Sequence, residues 1–262
     1  MYKIFTSYIS FFLICISNFL LSHETSIECS ICESKINEQK YLVDIWGNPF
    51  HIHHKNKGQF CECCSRIISE KITGGGYILN DGRHICSLCD ISIIKNSKVE
   101  KSLKSIINML DKNGVKGLHV NEIDIFLINR DEMKKLYGYN ASDHLKGLTK
   151  ISIQDNKIFK IYILDNIPEI QFQAILAHEL LHVWLYKNSI NLEYDKMEAF
   201  CNLGSFLVYK NDGTKFSNIH LLSFEKNNKQ KKQTKIYNIL TALMEKKSFN
   251  HILKNISTIN FE

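Results

Sequence analysis

The chain has 262 residues, which leaves room for one sizeable core and a smaller module. Hydrophobic residues make up 44% and charged residues 23%, proportions that exclude wholesale disorder. The net charge of +6 comes in large part from Lys226, Lys229, Lys231, Lys232 and Lys235, a run that reads as a solvated linker or helix face. It carries no motif for reading bases, so no nucleic-acid partner is expected.

Lys3 is followed by a mostly apolar stretch from Ile4 to Leu21 that ends at Ser22-His23-Glu24. This has the form of a secretory signal peptide, with an uncleaved membrane anchor as the alternative. Thr6, Ser7, Ser10, Ser17 and Asn18 interrupt the stretch and weaken the spanning reading. Residues 1–23 are therefore set apart as signal peptide or membrane anchor. The protein is expected to be exported, periplasmic or secreted, or anchored by this segment, and to meet a membrane only if the segment is uncleaved.

Of nine cysteines, seven crowd between Cys29 and Cys89. Six of them form pairs with two residues between: Cys29 and Cys32, Cys61 and Cys64, Cys86 and Cys89. His51 and His54 repeat the spacing. Such pairs are what tetrahedral zinc sites use, and two four-ligand sets follow in chain order. One is Cys29, Cys32, His51 and His54; the other is Cys61, Cys64, Cys86 and Cys89. Disulfides are the rival reading in an exported protein, but regular two-residue gaps beside a fourth pair of histidines favour zinc. Four protein ligands leave no open position, so both sites are expected to be structural. His53 is an alternative to His54, and Cys63 and His84 have no assigned role. Residues 27–92 would form this module, and so small a core would take much of its folding free energy from metal.

Residues 97–262 read as a second domain. Val99, Leu103, Ile106, Ile107 and Leu110 give the period of an amphipathic helix over Ser97 to Leu110, with Gly114 just past its end. A strand from Glu122 to Ile128 and a short helix from Arg130 to Tyr137, stopped by Gly138, come next. Leu148 to Ile153 and Lys157 to Leu164 flank Asp155-Asn156 and predict a β-hairpin.

The hairpin leads into an apolar run that contains His178-Glu179-Leu180-Leu181-His182. Pro168 suits the first turn of a helix here, with Asp165 or Asn166 as its cap. Residues four apart share a helix face, so His178 and His182 can aim two imidazoles at one zinc ion. Glu179, beside the first ligand, can take a proton from a zinc-activated water and so act as general base. A catalytic zinc site needs a third protein ligand and one open position. Glu198, on a predicted helix from Asp195 to Tyr209, is the choice; Glu193, Asp195 and His220 are alternatives. His144, Tyr209, His220 and Tyr237 are candidate oxyanion donors. Cys201 has no assigned role. Ile236, Ile239, Leu240, Leu243 and Met244 mark a last amphipathic helix that packs on the core.

The order of the metal pairs resembles a LIM domain, with Trp46 ahead of His51 and Tyr77 and Asp81-Gly82-Arg83 ahead of Cys86. It departs from that family in having His54 where a cysteine is usual and six residues, not two, before Cys61. Together with Leu176-Ala177-His178-Glu179-Leu180-Leu181-His182-Val183-Trp184-Leu185, Glu198-Ala199-Phe200-Cys201-Asn202, Gly147-Leu148-Thr149 and Ile161-Tyr162-Ile163-Leu164, the chain is similar to the plant LIM-containing, ubiquitin-activated peptidases that restrict organ growth and to their bacterial relatives. The likeness covers most of residues 27 to 210. It implies an α+β chain in which a small two-zinc LIM-like module precedes a zincin-type metallopeptidase domain of the glutamate-liganded class. It implies His178, His182 and Glu198 as ligands and Glu179 as catalyst. One catalytic and two structural zinc ions are thus expected, with a protein or peptide substrate and a protein partner for the LIM-like module. The ubiquitin-interacting helices of the plant proteins have no counterpart in this sequence. The rival function is a LIM-type adaptor whose second domain binds metal without catalysis.

Overall fold

The protein is described here from a computed structural model covering residues 27–55, 58–138, 142–143, 145–151, 159–225, 231–259 and 261. The leader, His144 and the hairpin turn at Asp155-Asn156 lie outside the described residues. Among those described, no helix is long and apolar enough to cross a membrane.

The fold is mixed α+β with cysteine-rich clusters that fit metal. Its first third uses short elements. Strands β1 (Leu42–Val43) and β2 (Pro49–Phe50) pair antiparallel, and a single 3-10 turn follows at Ile52–His54. Helix α1 (Glu70–Thr73), capped by the Ser69 side chain, precedes the antiparallel strands β3 (Gly76–Ile78) and β4 (His84–Cys86) and the one-turn helix α2 (Ser87–Asp90). The first metal-pair region encloses a small core of Cys29, Phe50 and Ile67. Cys61, Cys63, Cys64, Ile85, Cys86 and Cys89 instead belong to the main core of the molecule. Packing thus passes without a break from the second cysteine group into the helical part.

Helix α3 (Asn96–Lys112) buries Leu103, Ile106 and Leu110, and is slightly longer than its apolar period predicted. Strand β5 (Ile123–Ile128) leads to α4 (Arg130–Tyr137), which Asn129 and Glu132 close with a reciprocal capping box. Gly138, at φ 107°, ends α4 in a conformation that a side chain would disfavour. The expected hairpin is present as β6 (Gly147–Ile151) and β7 (Phe159–Leu164), with β5 added parallel to β7 to give the order β5-β7-β6. Phe159, Ile161 and Ile163 alternate inward along β7 and carry the core face of the sheet.

Helix α5 (Glu169–Lys187) packs on β6 and β7, and α6 (Tyr194–Asp212) packs along α5. Eleven α5 residues are buried, because the sheet and α3 cover one side and α6 the other. The two helices touch closely at Gly204, where a Cβ would stand 2.5 Å from the Ala177 carbonyl oxygen. One residue on, the Ser205 hydroxyl donates to the Ala174 carbonyl oxygen at 2.8 Å. Helices α7 (Lys215–Glu225), α8 (Lys231–Lys247) and α9 (Phe249–Asn255) complete the chain. Of these, α7 and α9 are not among the elements expected from sequence.

The expected cap of α5 is corrected. Pro168 occupies the N-cap position and no side chain caps it. Asp165 is not available, because its carboxylate accepts from the buried guanidinium of Arg83 at 2.5 Å. Asn166 adopts φ 51° and turns the chain.

Candidate functional site

In the first cluster the ligand atoms of Cys29, Cys32, His51 and His54 all lie within 4.8 Å of one another. Cys32 Sγ is 3.5 Å from His51 Nδ1, while His51 Nε2 faces the Lys35 carbonyl oxygen at 3.3 Å and Glu38 Oε2 at 3.6 Å. Acceptors on the Nε2 side put the hydrogen there and leave the Nδ1 lone pair for a metal. Burial raises the Cys29 thiol, but backbone N–H groups of Cys32, His51 and Ile31 outweigh it and bring the group down to about 7. That favours the thiolate a metal needs. His54 joins the group, whereas the ring of His53 stacks against His51 at 5.0 Å from outside it.

The second cluster, Cys61, Cys64, Cys86 and Cys89, is fully buried. Cys64 Sγ and Cys86 Sγ are 3.8 Å apart, far beyond a disulfide bond and close to the edge of about 3.8 Å that zinc–sulfur bonds of about 2.3 Å give in a tetrahedron. All described cysteines are free. The Cys86 N–H points at Cys61 Sγ at 3.4 Å, and the thiols of Cys63, Cys64, Cys86 and Cys89 all favour a thiolate at Cys61. These two clusters, one of two cysteines with two histidines and one of four cysteines, fit zinc. Cys63 stays outside the four and donates its thiol to the Asn166 carbonyl oxygen at 3.6 Å.

A third set stands between α5 and α6. His178 Nε2 and His182 Nε2 are 3.1 Å apart, and the Glu198 carboxylate lies 3.5 Å from each, through Oε2 and Oε1 respectively. With bonds of about 2.0 to 2.1 Å a tetrahedral zinc separates its ligands by roughly 3.3 Å, so the spacing fits. The donor chemistry agrees. His178 Nδ1 faces Asn202 Oδ1 at 3.0 Å, which puts the ring hydrogen on Nδ1 and turns the Nε2 lone pair toward His182. Burial, the largest cause, pushes His182 down to about 4, which favours the neutral ring that a metal would need. Burial pushes Glu198 up, but hydrogen bonding to His178 and the neighbouring imidazoles outweigh it and hold Glu198 below the ordinary carboxylate value. Two imidazoles and a carboxylate converging on one point make a set that could hold a cation.

Glu179 is buried next to this set. Burial pushes its carboxyl above the ordinary range, against the His178 charge and a hydrogen bond from Thr149. Cys201, one helical turn beyond Glu198, has its sulfur within 4.8 Å of both His178 and His182 ring nitrogens. That distance is an upper bound, and Glu198 places an oxygen 3.5 Å from each ring, so both residues are candidates for a third donor. Burial and then the charges of Glu198 and Glu179 keep the Cys201 thiol well above its ordinary value, in the protonated form.

Other candidates fall elsewhere. Glu193 pairs with Lys232 at the surface. His220 stacks on Tyr209 at 5.0 Å and lies against the Cys63 backbone, on the side of the four-cysteine cluster. Tyr237 packs on Phe224. As oxyanion donors, Tyr209, His220 and Tyr237 are not supported: Tyr209 and His220 stack on each other near Cys63, and Tyr237 packs on Phe224. A phenol not expected from sequence, Tyr194, lies four residues before Glu198 on the same face of α6 and feels the charge of Glu198. Tyr137, at the end of α4, lies near enough to act on it too. The i, i+4 spacing could have exposed Tyr194.

Compared with known proteins, the chain matches no protein-family model, no curated protein and no solved structure.

Proposed function

We propose that the chain is a zinc-dependent peptidase, with two structural zinc sites in a LIM-like arrangement before a zincin-like catalytic domain. The observation that carries this reading is the separation of two carboxylates at one site: Glu198 converges with His178 and His182, and Glu179 stands beside them outside the ligand set. A site whose metal is purely structural has no use for the second. Zinc held by His178, His182 and Glu198 would supply Lewis acidity to the scissile carbonyl and to an attacking water. Glu179 accepts the proton of that water on its carboxylate and delivers it to the leaving amine. Burial, which raises its proton affinity, suits a base that must also return the proton. The Tyr194 phenol, exposed and one turn before Glu198 on α6, donates to the carbonyl oxygen as charge develops. Strand β6 has no partner on its outer edge among the described residues, and an extended peptide can pair there.

A second reading has its own support. If the Cys201 sulfur closes the shell as a fourth ligand, the site is structural and the protein is an adaptor. Incubation of the purified full chain with casein, with and without a chelator, separates the two. Chelator-sensitive cleavage that Glu179→Gln abolishes supports the peptidase; metal without cleavage supports the adaptor.

A further inference from the structure

Side chains at alternate positions of a strand share a face, so Gly147 and Thr149 of β6 both look toward α5. There they meet one carboxylate. The Thr149 hydroxyl donates to Glu179 Oε2 at 2.7 Å. Its next acceptor, the Glu179 carbonyl oxygen, is 3.4 Å away, so the carboxylate takes the better bond. On the other side, a Cβ at Gly147 would stand 2.4 Å from Glu179 Oε1, 3.0 Å from Cδ and 2.7 Å from Ile175 Cγ2. No side chain fits at 147 with Glu179 in place.

We propose that Thr149 is the positioning residue of Glu179, and that Gly147 is the recess that admits its carboxylate. The inference rests on the reading of Glu179 as general base. A glutamate has several rotatable bonds, and one next to a metal ligand can swing into the open coordination position and close the site. Thr149 opposes that swing. Its β-branched side chain has restricted χ1 freedom on a strand, so the hydroxyl is held in one direction and engages Oε2. Among the described residues no donor reaches Oε1, which stays ready for a proton. Glu179 is thereby aimed without being coordinated.

The test uses the full chain with labelled casein, and measures kcat, KM, zinc content and urea midpoint for Thr149→Val, Thr149→Ser, Gly147→Ala and Glu179→Gln. Valine keeps the shape and removes the hydroxyl. Thr149→Val and Gly147→Ala should lower kcat about ten- to a hundredfold, as expected for a misplaced catalytic group, with KM and zinc unchanged. Thr149→Ser should restore kcat to within about threefold of the parent, since the donor returns. In a Glu179→Gln background Thr149→Val should cost nothing further. A Thr149→Val protein as active as the parent, or a Thr149→Ser protein as poor as the valine variant, overturns the proposal. If the parent itself does not cleave casein, the peptidase reading fails and the positioning claim is judged by unfolding. Thr149→Val should then shift the urea midpoint in the parent but not in Glu179→Ala, and equal shifts in both backgrounds overturn it.

Discussion

Arg83 and Asp165 are 82 positions apart and meet through two bonds: Nη2 to the carboxylate Oδ1 at 2.5 Å and Nη1 to the carbonyl oxygen at 2.8 Å. Arg83 lies in the second cysteine hairpin, and Asp165 in the turn that launches α5, the helix of His178 and His182. The same guanidinium holds Asp81 through Nε at 2.8 Å, and Asp81 accepts the backbone N–H of Arg130. Glu62, between two ligand cysteines, binds Arg130 at 2.7 Å, and its carbonyl oxygen accepts from Lys146, next to Gly147. The four-cysteine hairpin thus braces both the start of α5 and the start of β6.

Removal of that brace should be costly. Arg83 is fully buried, so Arg83→Met leaves two carboxylates without their partner and should cost about 3 to 5 kcal/mol in urea unfolding. The pH dependence follows from Asp81. Burial raises its carboxyl, but the Arg130 N–H and Arg83 outweigh this and hold it below the ordinary value of about 3.9. A depressed folded value means that the contribution is complete above about pH 4 and fades as pH falls through the folded value. The acid limb of stability should flatten in Arg83→Met; an unchanged limb and an unchanged midpoint would remove the brace.

Metal content should be about three zinc ions per chain, with the ion at His178, His182 and Glu198 lost first to a chelator because its shell has an open position. Elemental analysis during stepwise chelation reads this directly. One zinc per chain, with paired disulfides among Cys29 to Cys89 by mass spectrometry, would refute the two structural sites.

The two glutamates should fail differently. Glu179→Gln keeps the amide in the same space and should retain zinc while losing a factor of about 10² to 10⁴ in peptide hydrolysis. Glu198→Ala should lose zinc at that site together with activity, and leave both cysteine-containing clusters loaded. Zinc content beside turnover for both variants is the decisive comparison. A fully loaded Glu198→Ala protein would pass the third ligand to Cys201.

Tyr194→Phe removes one exposed hydroxyl from the turn of α6 before Glu198. The loss should fall on kcat, by about 10²-fold, with zinc content and KM near the parent's, because the phenol is assigned to the transition state. A variant with raised KM and intact kcat would make Tyr194 a substrate-binding residue instead.

Much of this was legible in sequence because it is local. The gaps within Cys29-x-x-Cys32, Cys61-x-x-Cys64 and Cys86-x-x-Cys89 bring ligands together within a single tight turn. The four-residue step from His178 to His182 fixes their common face by helix geometry alone. The hydrophobic periods of α3 and β7, and Gly138 at the end of α4, likewise follow from backbone preferences over a few residues. The closeness of Glu198 to His178 was an expectation from residue type, and only the packing of α5 on α6 across Gly204 brings the carboxylate to both rings.

What lay beyond the sequence depends on contacts between distant elements. His220, Tyr209 and Tyr237 were reasonable donors by chemistry, but helix packing turns them to other partners. Cys201 had no local signal of its own and Tyr194 only its four-residue step to Glu198, and both gain significance from their turns on the helix that carries Glu198. Asp165 looked like a helix cap until Arg83 claimed it from 82 residues away. Gly147 and Thr149 read as ordinary strand residues. Only the sheet order β5-β7-β6 lays their face against α5, where a missing Cβ and one hydroxyl shape the place of Glu179. Local spacing determines which residues can act together within a turn or strand; side-chain chemistry across the core is decided by which faces the tertiary packing brings into contact.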